Sequence, residues 1–328
     1  MNLQIARRPI PAQPGRAASD SVLKVWGLGR CGFPFFGIPW LLLVCLVVTG
    51  TPVDQFHFVI FGDRTGSTVP GVYEQVWRET AAESPAFVVS VGDTIEGTQD
   101  ATAEGEWREV DRIHRMYRRY PLYLTPGNHD IWSAASERLF RQYAGRPPHY
   151  GFDYAQAHFT ILDNSRSDEL PEEELTFLEQ DLKEHAAQPV KFVLMHRPSW
   201  LIHVALKNPN FPLHMLAKRY GVRYVIAGHV HQMMHAGLEG VTYISMPSSG
   251  GHLRNSGQYE DGWFFGRAAV DVRGEQASIH IEELKPPHGQ GRISRPADWS
   301  LLGLVQKRAS VQRAAGGSWF AGMPARKR

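Results

Sequence analysis

Acidic, amide and imidazole side chains recur in five short blocks of this 328-residue chain, each at or soon after the end of a run of β-type residues. The blocks are Gly62-Asp63, Gly92-Asp93, Gly127-Asn128-His129-Asp130, Met195-His196 and Gly228-His229-Val230-His231. Carboxylate and amide oxygens and imidazole nitrogens are typical ligands of divalent metals in proteins. These residue types therefore point to a metal site that activates water.

The elements that must position these blocks are the strands of an α/β sheet. Strand candidates rich in Val, Ile, Phe and Tyr lie at 56–61, 86–91, 122–124, 192–195 and 224–227. Several are continuously apolar, which is typical of strands buried on both faces. Loops at the carboxyl ends of strands in an open α/β sheet converge on one edge. We therefore expect residues that are distant in sequence to meet there.

The segments between and after these strands predict an α/β domain with β-rich additions. Apolar residues recur at helical spacing at Trp107, Val110, Ile113 and Tyr117. Pro171 and the three glutamates that follow it are typical of a helix start. A hairpin is predicted around Ala155-Gln156, and later strands at 241–245, 263–272 and 277–281.

Composition excludes several classes of protein. Hydrophobic residues make up 43% and charged residues 21% of the chain, which allows a packed core. The formal net charge of +2 indicates no specific nucleic-acid partner. The two cysteines, Cys31 and Cys45, lie in or beside an N-terminal apolar segment. The globular region therefore cannot be a thiolate zinc site, a disulfide scaffold or a cysteine hydrolase.

Residues 1–52 are interpreted as a basic lead followed by an apolar export signal or membrane anchor. The stretch 33–48 is uncharged, and five positive residues but only Asp20 precede it. Its short apolar core favours a signal peptide over a full bilayer span, whereas a basic lead of about 30 residues is long for one. An uncleaved anchor, a true start downstream of Met1 and a buried element of the domain stay open. We expect the domain at residues 53–284 to be exported or membrane-anchored outside the cytoplasm. Residues 285–328 are interpreted as a flexible basic tail, with a short docking helix at 299–305 as the alternative.

Taken in order, the five blocks resemble the calcineurin-like metallophosphoesterase superfamily over residues 56–252. The resemblance implies a two-layer β-sandwich flanked by helices, in four α/β/β/α layers. It also implies two divalent metal ions, with manganese, iron or zinc expected, at the strand ends. In such enzymes a water or hydroxide shared by the metals attacks phosphorus.

The resemblance also assigns roles to single residues. The implied metal ligands are Asp63, Asp93, Asn128, His196, His229 and His231. Asp63 and His231 would serve the first metal, Asp93 would bridge both, and the other three would bind the second. His129 matches the histidine that protonates the leaving alkoxide, and Asp130 is expected to orient its ring.

One position departs from the family pattern. The first block usually reads Asp-x-His, and that histidine binds the first metal, whereas this chain has Asp63-Arg64-Thr65. We therefore expect the first site to bind metal weakly; replacement by another histidine, such as His252, and a single-metal site are alternatives. Arg64 is a candidate to clamp a phosphoryl oxygen, against the alternative of a surface or ion-paired arginine.

The predicted function is metal-dependent hydrolysis of a phosphate mono- or diester, and the substrate class stays open. Because Thr65 replaces a ligand, a catalytically weak or inactive binding protein on the same scaffold is the alternative.

Overall fold

The computed structural model describes residues 55–306. In its first half the elements are β1 (Gln55–Phe61), α1 (Val72–Glu83), β2 (Val88–Ser90), α2 (Asp100–Met116), β3 (Leu122–Tyr123), α3 (Ala134–Ala144), β4 (Tyr150–Tyr154), β5 (Ala157–Ile161) and α4 (Glu172–Glu184). The second half contains β6 (Val190–Leu194), α5 (Leu201–Ala205), α6 (Pro212–Arg219), β7 (Tyr224–Ala227), β8 (Met234–Leu238), β9 (Val241–Ser245), β10 (Gly266–Arg273), β11 (Gln276–Glu283) and β12 (Ile293–Ser294).

The described strands form two six-stranded mixed sheets, in the orders β12-β11-β10-β1-β2-β3 and β4-β5-β6-β7-β9-β8. One apolar cluster joins the two sheets, for example through Phe58, Phe159 and Phe192. A second cluster joins the first sheet to α1, α2 and α3, and a third joins the other sheet to α4, α5 and α6. The predicted sandwich in four α/β/β/α layers is therefore confirmed.

Burial on both faces explains why β1 is so apolar. Phe58 and Ile60 belong to the cluster between the sheets, whereas Val59 and Phe61 pack with the helices on the other face. Each fully buried side chain of this kind contributes about 2 kcal/mol of transfer free energy. The strand is thereby held from both sides, and the loop that follows it at Asp63 starts from a rigid support.

The parallel strands place their carboxyl ends at common edges. In the first sheet β1, β2 and β3 are parallel neighbours, and in the second β5, β6, β7 and β9 are. The five strands predicted to precede the metal-ligand blocks are all present, with bounds shifted by at most two residues. The predicted hairpin is also present as β4 and β5, which pair antiparallel.

The flexible tail was predicted to begin at residue 285, and this is wrong for residues 285–306. β12 pairs with β11, and Trp299 is fully buried against Tyr259 and Phe264. The Trp299 ring also donates a hydrogen bond to Ser294 Oγ at 2.8 Å. Burial of this large ring offsets the entropy lost when the segment is ordered.

No helix within residues 55–306 is long and apolar enough to cross a bilayer. The apolar stretch at 33–48, predicted to be an export signal or anchor, lies outside the described residues.

Candidate metal centre

The six predicted metal ligands lie in loops at the ends of strands from both sheets. Asp63, Asp93 and Asn128 follow β1, β2 and β3 of the first sheet. His196 follows β6, and the block that contains His229 follows β7 of the second sheet. The metal centre is therefore built where the edges of two sheets meet, and neither sheet alone supplies the full set.

Four of these ligands converge at the position predicted for the second metal. His196 Nε2 lies 3.0 Å from Asn128 Oδ1, 3.1 Å from His229 Nδ1 and 3.2 Å from Asp93 Oδ2. His196 Nδ1 lies 2.9 Å from the Val91 carbonyl, to which it donates, so Nε2 of the neutral ring carries the lone pair. Asp93 Oδ2 is buried and accepts no hydrogen bond. Four groups whose lone pairs face one another form a candidate metal site, and their two oxygens and two nitrogens fit a divalent metal.

The electrostatics of this group show the same need for positive charge. Burial alone would lower the pKa of His196, but the Asp93 and Asp63 carboxylates raise it to about 9. Burial and the charge of His196 lower the pKa of His229 to about 3. Burial would raise the pKa of Asp93, yet His196 holds it well below its usual range. The protein thus favours ionised Asp93 with a cation beside it.

The loops hold several ligands in an unusual backbone conformation. Asp93, His229 and His231 have φ values of +54°, +69° and +65°. Non-glycine residues in this left-handed region cost on the order of 1–3 kcal/mol each and are common at functional sites. The backbone N–H of His229 donates to the Asp63 carboxylate at 2.8 Å, which helps to hold this conformation.

The position predicted for the first metal is less complete. His231 Nε2 lies 3.7 Å from Asp63 Oδ1, and Asp63 and His231 belong to no converging group of three His, Cys, Asp or Glu ligands within residues 55–306. Thr65 is fully buried, and its hydroxyl accepts a hydrogen bond from Thr68 at 3.2 Å. His252 reaches this position through its backbone carbonyl, which accepts from His231 Nδ1 at 2.8 Å. These residues therefore do not reproduce a full first-metal site.

His129 is positioned by its backbone and by one ring nitrogen. Its backbone N–H donates to Asp93 Oδ1 at 2.9 Å. Its ring Nδ1 donates to the carbonyl of Glu96. The candidate proton donor is thus linked directly to one of the converging metal ligands.

The contact expected between Asp130 and the His129 ring is not formed in the described structure. The Asp130 carboxylate instead accepts hydrogen bonds from the backbone N–H groups of Thr94 and Gly127, at 2.8 and 2.9 Å. Burial and the nearby Asp93 raise the pKa of Asp130 to about 7. Asp130 therefore connects the loops after β2 and β3. The Glu96 carbonyl, in place of Asp130, orients the His129 ring.

Arg64 makes its contacts with the protein framework. Its Nη1 donates to the Thr94 carbonyl at 3.0 Å, and its guanidinium carbon lies 5.5 Å from the centroid of the Tyr73 ring. The residue lines a cavity of about 310 Å³ together with Tyr73 and Glu96. These contacts favour a structural role, and the phosphoryl clamp at Arg64 stays a prediction.

Sequence reasoning missed two supports of the site. Asn164 Oδ1 accepts hydrogen bonds from the backbone N–H groups of His196 and Arg197, at 3.1 and 3.0 Å, and no motif marks it. Ser249 donates its backbone N–H to the Asp63 carbonyl at 3.0 Å, and its hydroxyl accepts from Gly62 N at 2.8 Å. The Ser-Ser-Gly-Gly sequence at 248–251, shortly after β9, was the available signal for this second support.

Two stacked sheets with a cluster of His, Asp and Asn ligands at their shared edge define a metallophosphoesterase. The family model of calcineurin-like phosphoesterases matches residues 69–233, half of the chain, and the chain belongs to this family. The match begins after the first block, which is the block that departs from the family pattern. Calcineurin-like phosphoesterases use divalent metals, and Asp93, His196 and His229 form a candidate metal-binding group in this chain.

Among individual proteins, the chain is similar to the 3',5'-cyclic adenosine monophosphate phosphodiesterase CpdA of Escherichia coli K12. The two are 31% identical over 205 residues, which cover 60% of this chain and 71% of that protein. CpdA of Haemophilus influenzae is 24% identical over 196 residues, or 56% of this chain and 69% of that protein.

Two solved structures share the fold. A purple acid phosphatase from yellow lupin seeds superposes with a TM-score of 0.53 at 17% identity, covering 77% of this chain and 52% of the lupin chain. The chain thus spans about half of the lupin enzyme. GAP50, described as the anchor in the inner membrane complex of Plasmodium, superposes with a TM-score of 0.51 at 16% identity, covering 78% of this chain and 90% of GAP50.

Proposed function

We propose that this protein hydrolyses a phosphate mono- or diester with a divalent metal held by Asp93, Asn128, His196 and His229. One observation carries the proposal. The lone-pair donors of these four residues converge beside His129, and the buried Asp93 Oδ2 accepts no hydrogen bond. A buried carboxylate oxygen needs a positive charge beside it, and a divalent metal among these four residues would supply that charge.

A divalent ion bound there would lower the pKa of a bound water and polarise phosphoryl oxygens. The chain supplies the proton for the leaving group. Because Nδ1 keeps its proton in the hydrogen bond to the Glu96 carbonyl, the protonated His129 ring gives up its second proton from Nε2. In the hydrolysis, the attacking water loses one proton to solvent, a P–O bond forms to its oxygen, and the ester P–O bond breaks. The departing alkoxide takes the proton from His129 Nε2.

The relatives suggest which esters to examine first. Both CpdA proteins are named as 3',5'-cyclic adenosine monophosphate phosphodiesterases. We therefore propose cyclic nucleotide diesters as the first substrate class, with phosphomonoesters second. Manganese, iron and zinc are the proposed metals, since each accepts a mixed set of imidazole and oxygen ligands.

The alternative function is a binding protein on this scaffold. Thr65 favours it, because a buried threonine stands where the family has a metal-binding histidine. The complete ligand group at the second position and His129 beside it favour an enzyme instead.

A substrate and metal matrix with the purified full-length protein tests the proposal. The substrates are p-nitrophenyl phosphate, bis-p-nitrophenyl phosphate and cyclic AMP, each with manganese, iron, zinc or magnesium. We expect turnover of at least one ester that depends on added metal and is lost in Asp93→Asn. Absence of turnover in every combination, with circular dichroism showing a folded protein, would instead support the binding function.

A further inference from the structure

The two predicted metal positions differ in what occupies the space between their ligands. At the second position, three neighbours lie within 3.2 Å of His196 Nε2, and all three carry lone pairs. At the first position, His231 Nε2 lies 3.4 Å from Nη2 of Arg254. A guanidinium therefore faces the atom that would bind the first metal.

The hydrogen bond on the other side of the His231 ring makes this contact specific. His231 Nδ1 donates to the carbonyl of His252 at 2.8 Å. In the neutral ring Nε2 is then the acceptor, and the guanidinium, which can only donate, points an N–H at it. A cation that is charged at every physiological pH thus competes with a metal for the same lone pair.

The surrounding residues leave room for the guanidinium, and Thr65 stands where the family has a metal-binding histidine. Thr65 turns its hydroxyl to Thr68, at 3.2 Å. Gly66 follows, and a Cβ at this glycine would lie 2.8 Å from His231 Cε1 and 3.5 Å from Arg254 Nη2. The absence of side chains at Gly66 therefore keeps the approach to His231 open.

Arg254 itself is exposed, so its guanidinium can meet a ligand that enters from solvent. Its planar set of N–H donors matches two oxygens of a phosphoryl group.

We propose that Arg254 takes the place of the first metal: the chain binds one metal ion tightly, and the Arg254 guanidinium binds the phosphoryl group of the substrate opposite it. This inference rests on the proposed function, because it concerns how the same site binds its phosphoester. Thr65 and Arg254 then form a matched pair, one lacking a metal ligand and the other supplying the missing positive charge.

Metal content is the first test, and it needs no turnover. The full-length protein, loaded with manganese and dialysed, is expected to retain one ion per chain by inductively coupled plasma mass spectrometry. The double variant Thr65→His/Arg254→Ala, which restores the family ligand and removes the guanidinium, is expected to retain two. Two tightly held ions in the unaltered protein would overturn the proposal.

Binding of inorganic phosphate to the manganese-loaded protein is the second test, measured by calorimetry. Arg254→Ala is expected to weaken phosphate binding at least tenfold while the metal content stays at one. Arg254→Lys should restore part of the affinity. Arg273→Ala is the matched control: this exposed arginine pairs with Gln55 at the start of β1, the opposite end of that strand from Asp63. Equal phosphate affinity in Arg254→Ala and Arg273→Ala would refute the role of Arg254.

The two tests separate this inference from the proposed function. A protein that hydrolyses no ester but binds phosphate through Arg254 would contradict the enzyme and keep the inference. A protein that hydrolyses esters, holds two tight metals and keeps its phosphate affinity in Arg254→Ala would support the enzyme and contradict the inference. If both hold, Arg254→Ala should lower kcat/KM about 100- to 1000-fold, the range seen when one donor to a developing oxyanion is removed.

Discussion

At the scale of single residues, His196 controls the electrostatics of the metal centre. Its Nδ1 proton is held by the Val91 carbonyl, so its other nitrogen is presented to Asp93, Asn128 and His229. Without a metal, the group gains its positive charge only by protonating His196, whose pKa is raised to about 9 by the carboxylates in spite of burial. A metal ion and a proton therefore compete for Nε2 of His196.

Removal of the metal is expected to lower stability as well as activity. Ligand binding to the folded state adds about 2.7 kcal/mol when the free metal is at one hundred times its Kd. Thermal unfolding followed by fluorescence should show a lower Tm after chelation, and recovery with manganese. Asp93→Asn should make the Tm insensitive to manganese. A Tm that responds to manganese equally in both proteins would place the metal elsewhere.

His129→Asn is expected to reduce turnover without loss of metal. The ring contacts the Glu96 carbonyl rather than the converging ligands, and general-acid catalysis contributes about 10²- to 10⁴-fold. The loss in kcat should be largest for esters with poor leaving groups and small for p-nitrophenyl esters, whose leaving group needs little protonation. A uniform loss across leaving groups, or a lower metal content, would argue against the proton-donor role.

At the scale of elements, close packing of the loops after β2 and β3 positions Asp93. A Cβ at Gly127 would lie 2.2 Å from both the backbone nitrogen and Oδ1 of Asp93. Such a distance is far below any real contact, so one of the two loops would have to move. The glycine is therefore required by the approach of the loops.

A pair of glycine substitutions tests this packing. Gly127→Ala should destabilise the fold by about 1–3 kcal/mol, the usual range for overpacking, and should weaken manganese binding. Gly105→Ala is the control, because Gly105 lies inside α2 and a Cβ there meets nothing within 4 Å. This control should stabilise by about 0.5–1 kcal/mol, since glycine is disfavoured in helices. Chemical denaturation and metal titration of both variants measure the two effects.

The hairpin β4–β5 is joined to α4 through a buried histidine. His158 places Nδ1 2.7 Å from Asp153 and Nε2 2.7 Å from Asp181, and its ring stacks on His185 at 4.0 Å. Burial would lower the pKa of His158, but the Asp181 and Asp153 carboxylates raise it above its ordinary value. The protonated ring is therefore an internal tie between the sheet and the helix.

This tie predicts a stability that depends on pH. Because the pKa of His158 is higher in the folded than in the unfolded state, its contribution is complete below about pH 6.5 and is lost as the pH rises through the folded value. His158→Gln should therefore cost about 3 kcal/mol near pH 6 and clearly less near pH 9. Urea denaturation at both pH values gives the difference. An equal cost at both would show that folding does not raise the pKa of His158.

At the scale of the whole molecule, the site depends on how the two sheets stack. The first sheet supplies Asp63, Asp93 and Asn128, and the second supplies His196 and the histidines after β7. The aromatic cluster between the sheets, which includes Phe58, Phe159 and Phe192, sets their relative position. Core packing and metal binding are thus coupled through the same interface.

Export of the catalytic domain stays a proposal at this scale, based on the uncharged stretch 33–48 and the basic residues before it. Cell fractionation of the full-length chain should place the protein in a membrane or exported fraction. Replacing Leu42 and Val44 by arginine should retain it in the cytosol. Full activity in the cytosolic fraction of the unaltered protein would contradict the proposal.

The strongest sequence signals were those with local causes. Continuous apolar runs predicted the strands before all five blocks, and the Pro-Glu-Glu-Glu start predicted α4. Helix α1 was missed because its N-cap, Gly71, offers no side-chain cap, and its first turn holds a single acid, Glu74, instead of a proline followed by three glutamates. The segment 285–306 was taken for a tail because its composition is that of a loop, and its order rests on Trp299, whose partners lie elsewhere in the chain.

The sequence by itself determined the strands and the residue types at their ends, because these depend on local periodicity. The order of the five blocks carried the resemblance to the family, and the resemblance implied the layered fold. Only the tertiary structure decided that Asp130 binds backbone N–H groups instead of the His129 ring. It also decided that Arg254 faces His231 where Thr65 leaves a ligand missing. Both contacts depend on how separate loops pack against each other, and such distances leave no pattern along the chain.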